Sequence, residues 1–339
     1  MALPVGPLVT RVVCGTKAFN ILLYKSLTVT SIAIKFCPTG RAERIQSAQP
    51  EPEIYFTMSS KEMAQAILDY WTPERMATAR PEEDICGMHS KDETATEMVQ
   101  ETDELRAAGP IEIVSDEKVK TFPYQSVGKL FYTKVGPSGS SDKTATAYVA
   151  DLSSSPHAVL TAAHVLKFYN GKAENIIFIP GLIPPSTYPF GKYPQISGGE
   201  GTAWFVNPKW KPNQPDPAHD EGLIRLDKDP TTGKYVDAVV PCIQILLDQQ
   251  YTPSTTWNSI GYPTECPESP EGKMCERSGN FNKKDSGAVY KDGPFLSGTS
   301  GGPWILAGSE NKSNGLQSAS DGVCAISPYF SSSSKEWFQ

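Results

Sequence analysis

No CxxC pair occurs anywhere in the 339 residues; the seven cysteines, at 14, 37, 86, 242, 266, 275 and 324, stand singly, which argues against a zinc ribbon. No apolar run reaches the roughly 18 residues that a membrane-spanning helix needs. No basic cluster offsets the net charge of −7, so the electropositive face that phosphate binding demands is missing and nucleic acid is a poor partner. Histidine is scarce: any imidazole chemistry must come from His89, His157, His164 or His219. No internal repeat is evident.

What is plentiful is punctuation. Twenty-nine prolines and 27 glycines break the chain into short runs, while a hydrophobic content of 39% suffices for a sizeable core. The length fits two domains, or one large domain with an appendage. Residues 1–42 carry Arg11, Lys17, Lys25, Lys35 and Arg41 and no acid, as a targeting segment does; lysines interrupt each apolar stretch, so a secretory signal, an organellar presequence and a start placed too far upstream all stay open. Residues 43–122 read as helical or partly disordered, with no core of their own. Their clearest element is "SSKEMAQAILDYW", with a serine N-cap and Met63, Ile67, Leu68 and Trp71 at helical spacing. From residue 123 the pattern turns β: "VGKLFYTKV", "TATAYVADL", "AVLTAAHVL", "NIIFIPGL", "GTAWFVN", "EGLIRLD", "TTWNSIGYP" and "GGPWIL" are short, β-branched and aromatic. Such spacing predicts an all-β sandwich or closed barrel. A short helix is expected at "SSSSKEWFQ". "CPESPEGKMC" reads as a disulfide loop closed by Cys266 and Cys275, and the sequon at Asn311 fits an oxidising, secreted context.

One stretch, "FLSGTSGGPW", sets Ser300 among glycines. A serine hydroxyl is a weak nucleophile until a base, commonly an imidazole held by a carboxylate, takes its proton. His164 ends a strand-like run of small residues, where an imidazole can face a cleft. Chain order then discriminates. G-x-S-x-G fits an α/β-hydrolase elbow, but no histidine follows Ser300, as that fold requires. The order His164, then an acid, then Ser300 remains. Asp220 in "HDEGLIRL" is the best acid, between a proline-rich loop and an apolar strand; Asp216 and Asp227 compete but read as loop carboxylates.

"LTAAH" and "SGTSGGPW" resemble the histidine and serine motifs of the chymotrypsin-like serine proteases. "DYWTPERMATARP", "NIIFIPG", "SIGYP" and "SPYF" resemble elements of the secreted trypsin-like and glutamyl-endopeptidase-like branch, so the resemblance spans roughly residues 69–330. It implies a pro-region (43–122) ahead of two six-stranded antiparallel β-barrels: a peptidase domain at 123–339, with the first barrel at about 123–248 and the second at about 249–332. It implies hydrolysis of peptide bonds in protein or peptide substrates by a monomeric secreted enzyme, with His164 as base, Asp220 as its orienting partner and Ser300 as nucleophile. Gly298 and Ser300 would donate the oxyanion-hole amides, and Phe295, Ser297, Gly315, Gln317 and Ser318 would contact substrate. No metal or organic cofactor is implied.

The departures carry information too. Val165 stands where most of the family has a cysteine, and Ala145 where its partner falls, so small apolar residues replace a disulfide. Thr299 replaces the aspartate of the trypsin-type zymogen switch. Gln317 replaces the histidine of glutamate-specific relatives, and Pro294 or Phe295 falls where trypsin-type pockets have an aspartate; a neutral side chain before the scissile bond is therefore expected. Glu221, beside Asp220, is an odd neighbour whose charge threatens the imidazole; together with the unusual pocket it motivates the alternative of a protease-fold binding module without turnover. Trp204, Trp210, Trp257 and Trp304 are expected in the core, and Cys242–Cys324 as a second bridge.

Overall fold

The computed structural model describes residues 8–14, 17–23, 59–81, 108–152, 155–264, 266, 272–309 and 311–338. Leu8–Cys14 and Lys17–Leu23 pair as an antiparallel hairpin within a unit of their own, Met1–Phe56. The rest of the segment read as targeting, with Cys37, lies outside the described residues, as do Cys86 and His89. Everything else described belongs to the second unit, Thr57–Gln339.

That unit is all-β at its centre. Val127–Gly136 and Gly139–Asp151, each with a run of buried residues at its inner end, build a ten-residue antiparallel ladder, and Gly171–Pro180 closes on its other side. Ala158–Thr161 pairs with Gly139–Asp151 and with Gly222–Arg225, which in turn pairs with Trp204–Val206. A second set follows. Thr256–Gly261 pairs with Cys275–Asp285 and Pro303–Leu306, Ala288–Asp292 pairs with Cys275–Asp285 and Cys324–Pro328, and Lys312–Leu316 pairs with Pro303–Leu306. Ile243–Ile245 runs parallel to strands of both sets and ties them together. A helix, Ser332–Phe338, follows the last strand as the sequence predicts. The four tryptophans expected inside are buried: Trp204, Trp210, Trp257 and Trp304. Val165 and Ala145, both 1% exposed, lie in the main core cluster, as fits residues that fill the space of a disulfide.

Residues 59–81 and 108–122 do not stand apart from the barrels. Ser59 caps the helix Ser60–Tyr70 in a capping box with Glu62, and Thr72 with Pro73 starts the next, Pro73–Thr78. Such short helices are marginal alone, and docking supplies what propensity cannot. Trp71 is 1% exposed and its indole donates to Asn175 O at 2.6 Å. Asp142 accepts from Tyr70 and from Arg75, at 2.8 and 2.5 Å. Arg80–Pro81 then pairs in parallel with Lys143–Thr144, while Glu112–Ile113 pairs with Cys275–Glu276 of the second set. The helical expectation is met, and the segment shares the barrels' core rather than forming one.

The disulfide Cys266–Cys275 is formed. The second expected bridge is not: Cys242 and Cys324 are free thiols. Cys324 opens an edge-paired strand opposite Asp292, and burial pushes its thiol up to about 11, so it packs as a small apolar residue.

Lys291 is wholly buried, and its ammonium has no hydrogen-bond partner among the described residues; the Trp304 ring centroid is 5.4 Å away. Burial, with Arg277 as a like charge nearby, pulls its pKa from 10.5 to about 7. The unfolded chain therefore holds more protons than the folded one between those two values, and stability should rise with pH across that window.

Two measurements follow from this packing. Trp71→Ala should cost about 3–5 kcal/mol in urea unfolding of the full chain; a loss within about 0.5 kcal/mol would mean that the helices lie outside the cooperative unit. Lys291→Met should raise stability at pH 7 and flatten the alkaline rise, and a variant less stable than the parent at pH 7 would contradict the buried-cation account.

Candidate active site

His164 sits on a single helical turn, Ala163–Leu166, that directly follows the strand Ala158–Thr161. Ala163, Val165 and Leu166 are at most 1% exposed, so the turn is anchored on three sides. Asp220 ends a short 3-10 turn, Pro217–His219, started by the Asp216 side chain, which accepts from Ala218 N at 2.9 Å. Asp227 accepts from Lys228 N. Asp216 is thus a local turn cap, and Asp227 bonds to its own loop. Asp220 alone reaches the imidazole: His164 Nδ1 lies 2.7 Å from Oδ2, and His164 N donates to Oδ1 at 2.8 Å. Asp220 is fully buried and His164 is 5% exposed. Of the other described histidines, His157 pairs with Asp237 at 2.7 Å and stacks on Tyr235, and His219 lies 4.0 Å from Asp216.

A third donor reaches Asp220. Ser318 Oγ donates to Oδ2 at 2.6 Å, so the hydroxyl of a residue expected at the substrate fixes the carboxylate. Ser318 follows Gln317, whose carbonyl accepts from Gly301 N at 2.7 Å, and Gly302 accepts from Gln317 N at the same distance. The circuit His164–Asp220–Ser318–Gln317–Gly301 thus ends one residue from Ser300, itself 6% exposed.

The Ser300 loop is pinned from the first barrel by Thr146. Thr146 N donates to Ser300 O at 2.9 Å and Thr146 Oγ1 to Gly298 O at 2.9 Å; that same hydroxyl accepts from Tyr262 N, and Thr161 Oγ1 donates to Thr146 O. Nothing in the sequence flagged Thr146 beyond its place as a polar residue in an otherwise apolar strand. The glycines around Ser300 now have reasons. Gly298 has φ +96°, and a Cβ there would stand 2.8 Å from Tyr262 O; Gly301 has φ +84°, and a Cβ would collide with Thr161 Oγ1 and Thr146 O.

The remaining predicted contacts divide. Phe295 packs with Cys266 and Cys275. Ser297 O accepts from Thr264 N and Oγ1. Gly315 lies inside the second barrel, where a side chain would collide with Ser327 Oγ, so packing accounts for it. Gln317 is spent internally: its amide donates to Ala319 O at 2.7 Å and accepts from Trp304 Nε1 at 3.3 Å. Thr299 Oγ1 donates to Leu296 O at 2.6 Å. Glu221 is buried, and its carboxylate accepts from Asn207 Nδ2 at 2.6 Å and from Ser334 Oγ of the terminal helix at 2.9 Å. Ser318→Ala removes a donor from a buried carboxylate, and urea unfolding should show a loss of about 1.5–3 kcal/mol; a neutral result would mean that the Ser318 bond is incidental.

No protein-family model and no curated protein sequence matches this chain. Solved structures do. The protease Anisep from Arthrobacter nicotinovorans matches over 62% of this chain and 93% of its own length, at 19% identity and a TM-score of 0.52. The thermostable serine protease AL20 from an extremophilic microorganism matches over 63% and 95%, at 21% identity and 0.52. A Glu endopeptidase solved with MPD matches over 68% and 94%, at 20% identity and 0.51. In the arrangement of its two strand sets the chain has the fold of the chymotrypsin-like serine proteases.

Proposed function

We propose that the chain is a serine endopeptidase, made as a precursor, that hydrolyses proteins or peptides outside the cell through an acyl-enzyme. The observation that carries this is the hydrogen-bonded circuit linking His164 and Asp220 to the Ser300 loop. His164 takes the Ser300 proton as Oγ attacks the scissile carbonyl carbon. Asp220, held by three donors, keeps the imidazole oriented and stabilises its cation. The amides of Gly298 and Ser300 receive the developing oxyanion; one such donor is worth about 2.7–4 kcal/mol of barrier. His164 then protonates the leaving amine, and a water activated by the same imidazole releases the acyl group.

A neutral residue before the scissile bond fits a pocket whose uncharged Gln317 is bonded to Ala319 O and Trp304 Nε1 and which has no acid at Pro294 or Phe295. The Cys266–Cys275 bridge suits an oxidising compartment. Among the described residues no helix is long and apolar enough to cross a membrane. The alternative is a binding module without turnover, motivated by the charge of Glu221 and the unusual pocket; Asn207 and Ser334 hold that carboxylate in place.

Ser300→Ala should keep the parent's unfolding midpoint and lose at least about a thousandfold in peptide hydrolysis. A fluorophosphonate probe should label the parent at Ser300 and spare the variant. Undiminished hydrolysis by the variant would remove Ser300 from this role, and a parent unlabelled before and after proteolytic processing would favour the binding module.

A further inference from the structure

A cavity of about 290 Å³ lies where the N-terminal helices meet the first barrel. Met76, Phe131 and Leu182 supply apolar walls, Arg80 and Lys129 supply two cations, and no carboxylate lines it among the described residues. Lys129 Nζ stands 5.6 Å from the Phe131 ring centroid and close against Gly272. Arg80 spends one nitrogen on the carbonyls of Ala77 and Ala79, at 3.2 and 3.3 Å. The charge felt by Lys129 is a like one: burial first, and Arg80 second, pull its pKa from 10.5 to about 8. Two like charges share this cavity, Lys129 half-buried and Arg80 exposed, and no carboxylate among the described residues answers them, an arrangement that suits an anion.

Two of the walls are bonded to the chain that supports Gly298. Leu182 O accepts from Tyr262 OH at 3.0 Å. Thr264, also in the wall, donates its amide and its hydroxyl to Ser297 O at 3.0 and 3.2 Å. Tyr262 O is the atom on which Gly298 rests.

We propose that this cavity binds a carboxylate on an apolar stem, the carboxylate between Lys129 and Arg80 and the stem against Met76, Phe131 and Leu182, and that occupancy steadies the Ser297–Gly298 loop. A bare inorganic ion would leave most of the apolar wall facing water, since one water takes about 30 Å³. The first half concerns binding alone; the second rests on the peptidase reading.

Hexanoate is the probe, with chloride at equal ionic strength as control. In thermal unfolding of the Ser300→Ala protein, hexanoate should raise the midpoint saturably by roughly 2–4 °C. Lys129→Met should abolish the shift, and so should Arg80→Gln, which alters an exposed side chain and leaves the core untouched. No shift, or an equal shift in both variants, overturns the site. In the active chain hexanoate should raise kcat for a peptide substrate about twofold or more, and Lys129→Met should remove that rise. An unchanged kcat beside an intact thermal shift overturns the coupling. A chain that shows the shift and hydrolyses nothing upholds the site and counts against the peptidase reading.

Discussion

A carboxylate with no exposed surface must find its hydrogen bonds inside the protein or give up its charge, and Asp220 finds three. Two come from His164, on the first barrel, and the third from Ser318, between strands of the second. The carboxylate thus works only while both strand sets keep their relative position. Removing any one donor leaves the penalty of burial in place and takes away part of what offsets it, so the site and the docking of the barrels are one energetic problem.

The strand Gly139–Asp151 solves the other half of it. Along its length it meets Arg80–Pro81 at residues 143 and 144, the Ser300 carbonyl at Thr146, Ala158–Thr161 at residues 148 and 149, and Ile243–Gln244 at residues 150 and 151. An extended backbone offers alternate donors and acceptors at fixed spacing, so partners that bond to one strand inherit its register. The Ser300 loop is irregular, and its local conformation is held by contacts from Thr146 and from the carbonyl of Tyr262. Glycine is what lets the loop come so close.

Much of this was legible because polar residues sat where their neighbours forbade an ordinary role. Asp220 lies beside an apolar strand, Ser300 among glycines, and His164 at the end of a run of small residues. Asp216 caps its own turn and Asp227 accepts from the amide of the next residue, as loop carboxylates do. The strands Cys275–Asp285 and Ala288–Asp292 escaped the β reading, since the consecutive exposed polar residues Asn282, Lys283, Lys284 and Asp285 of the first and the buried Lys291 of the second break the alternation. The sequence does not show that the Ser318 hydroxyl turns to Asp220, because it gives no direction to a side chain, nor that Gly315 packs against Ser327, because a glycine packed on another strand reads like one left open for a ligand. The Cys242–Cys324 pairing failed for a related reason: two lone cysteines carry no information on distance.

The N-terminal helices bear on the proposal that the chain is made as a precursor. Residues 59–81 dock on the first strand set through Trp71, Tyr70 and Arg75, and residues 108–114 add a strand to the second, with Val114 N bonded to Met274 O at 2.9 Å. A pro-segment meant to leave should bury little and pair with nothing, because each buried side chain and each ladder bond must be given up on departure. Here Ile67, Trp71, Met76, Ala79, Val114 and Val119 are all buried. Loss of everything before residue 123 would bare the apolar surface beneath them and unpair edges on both barrels. The physical balance favours a segment that stays bound after any processing, with the Lys129 cavity enclosed beneath it.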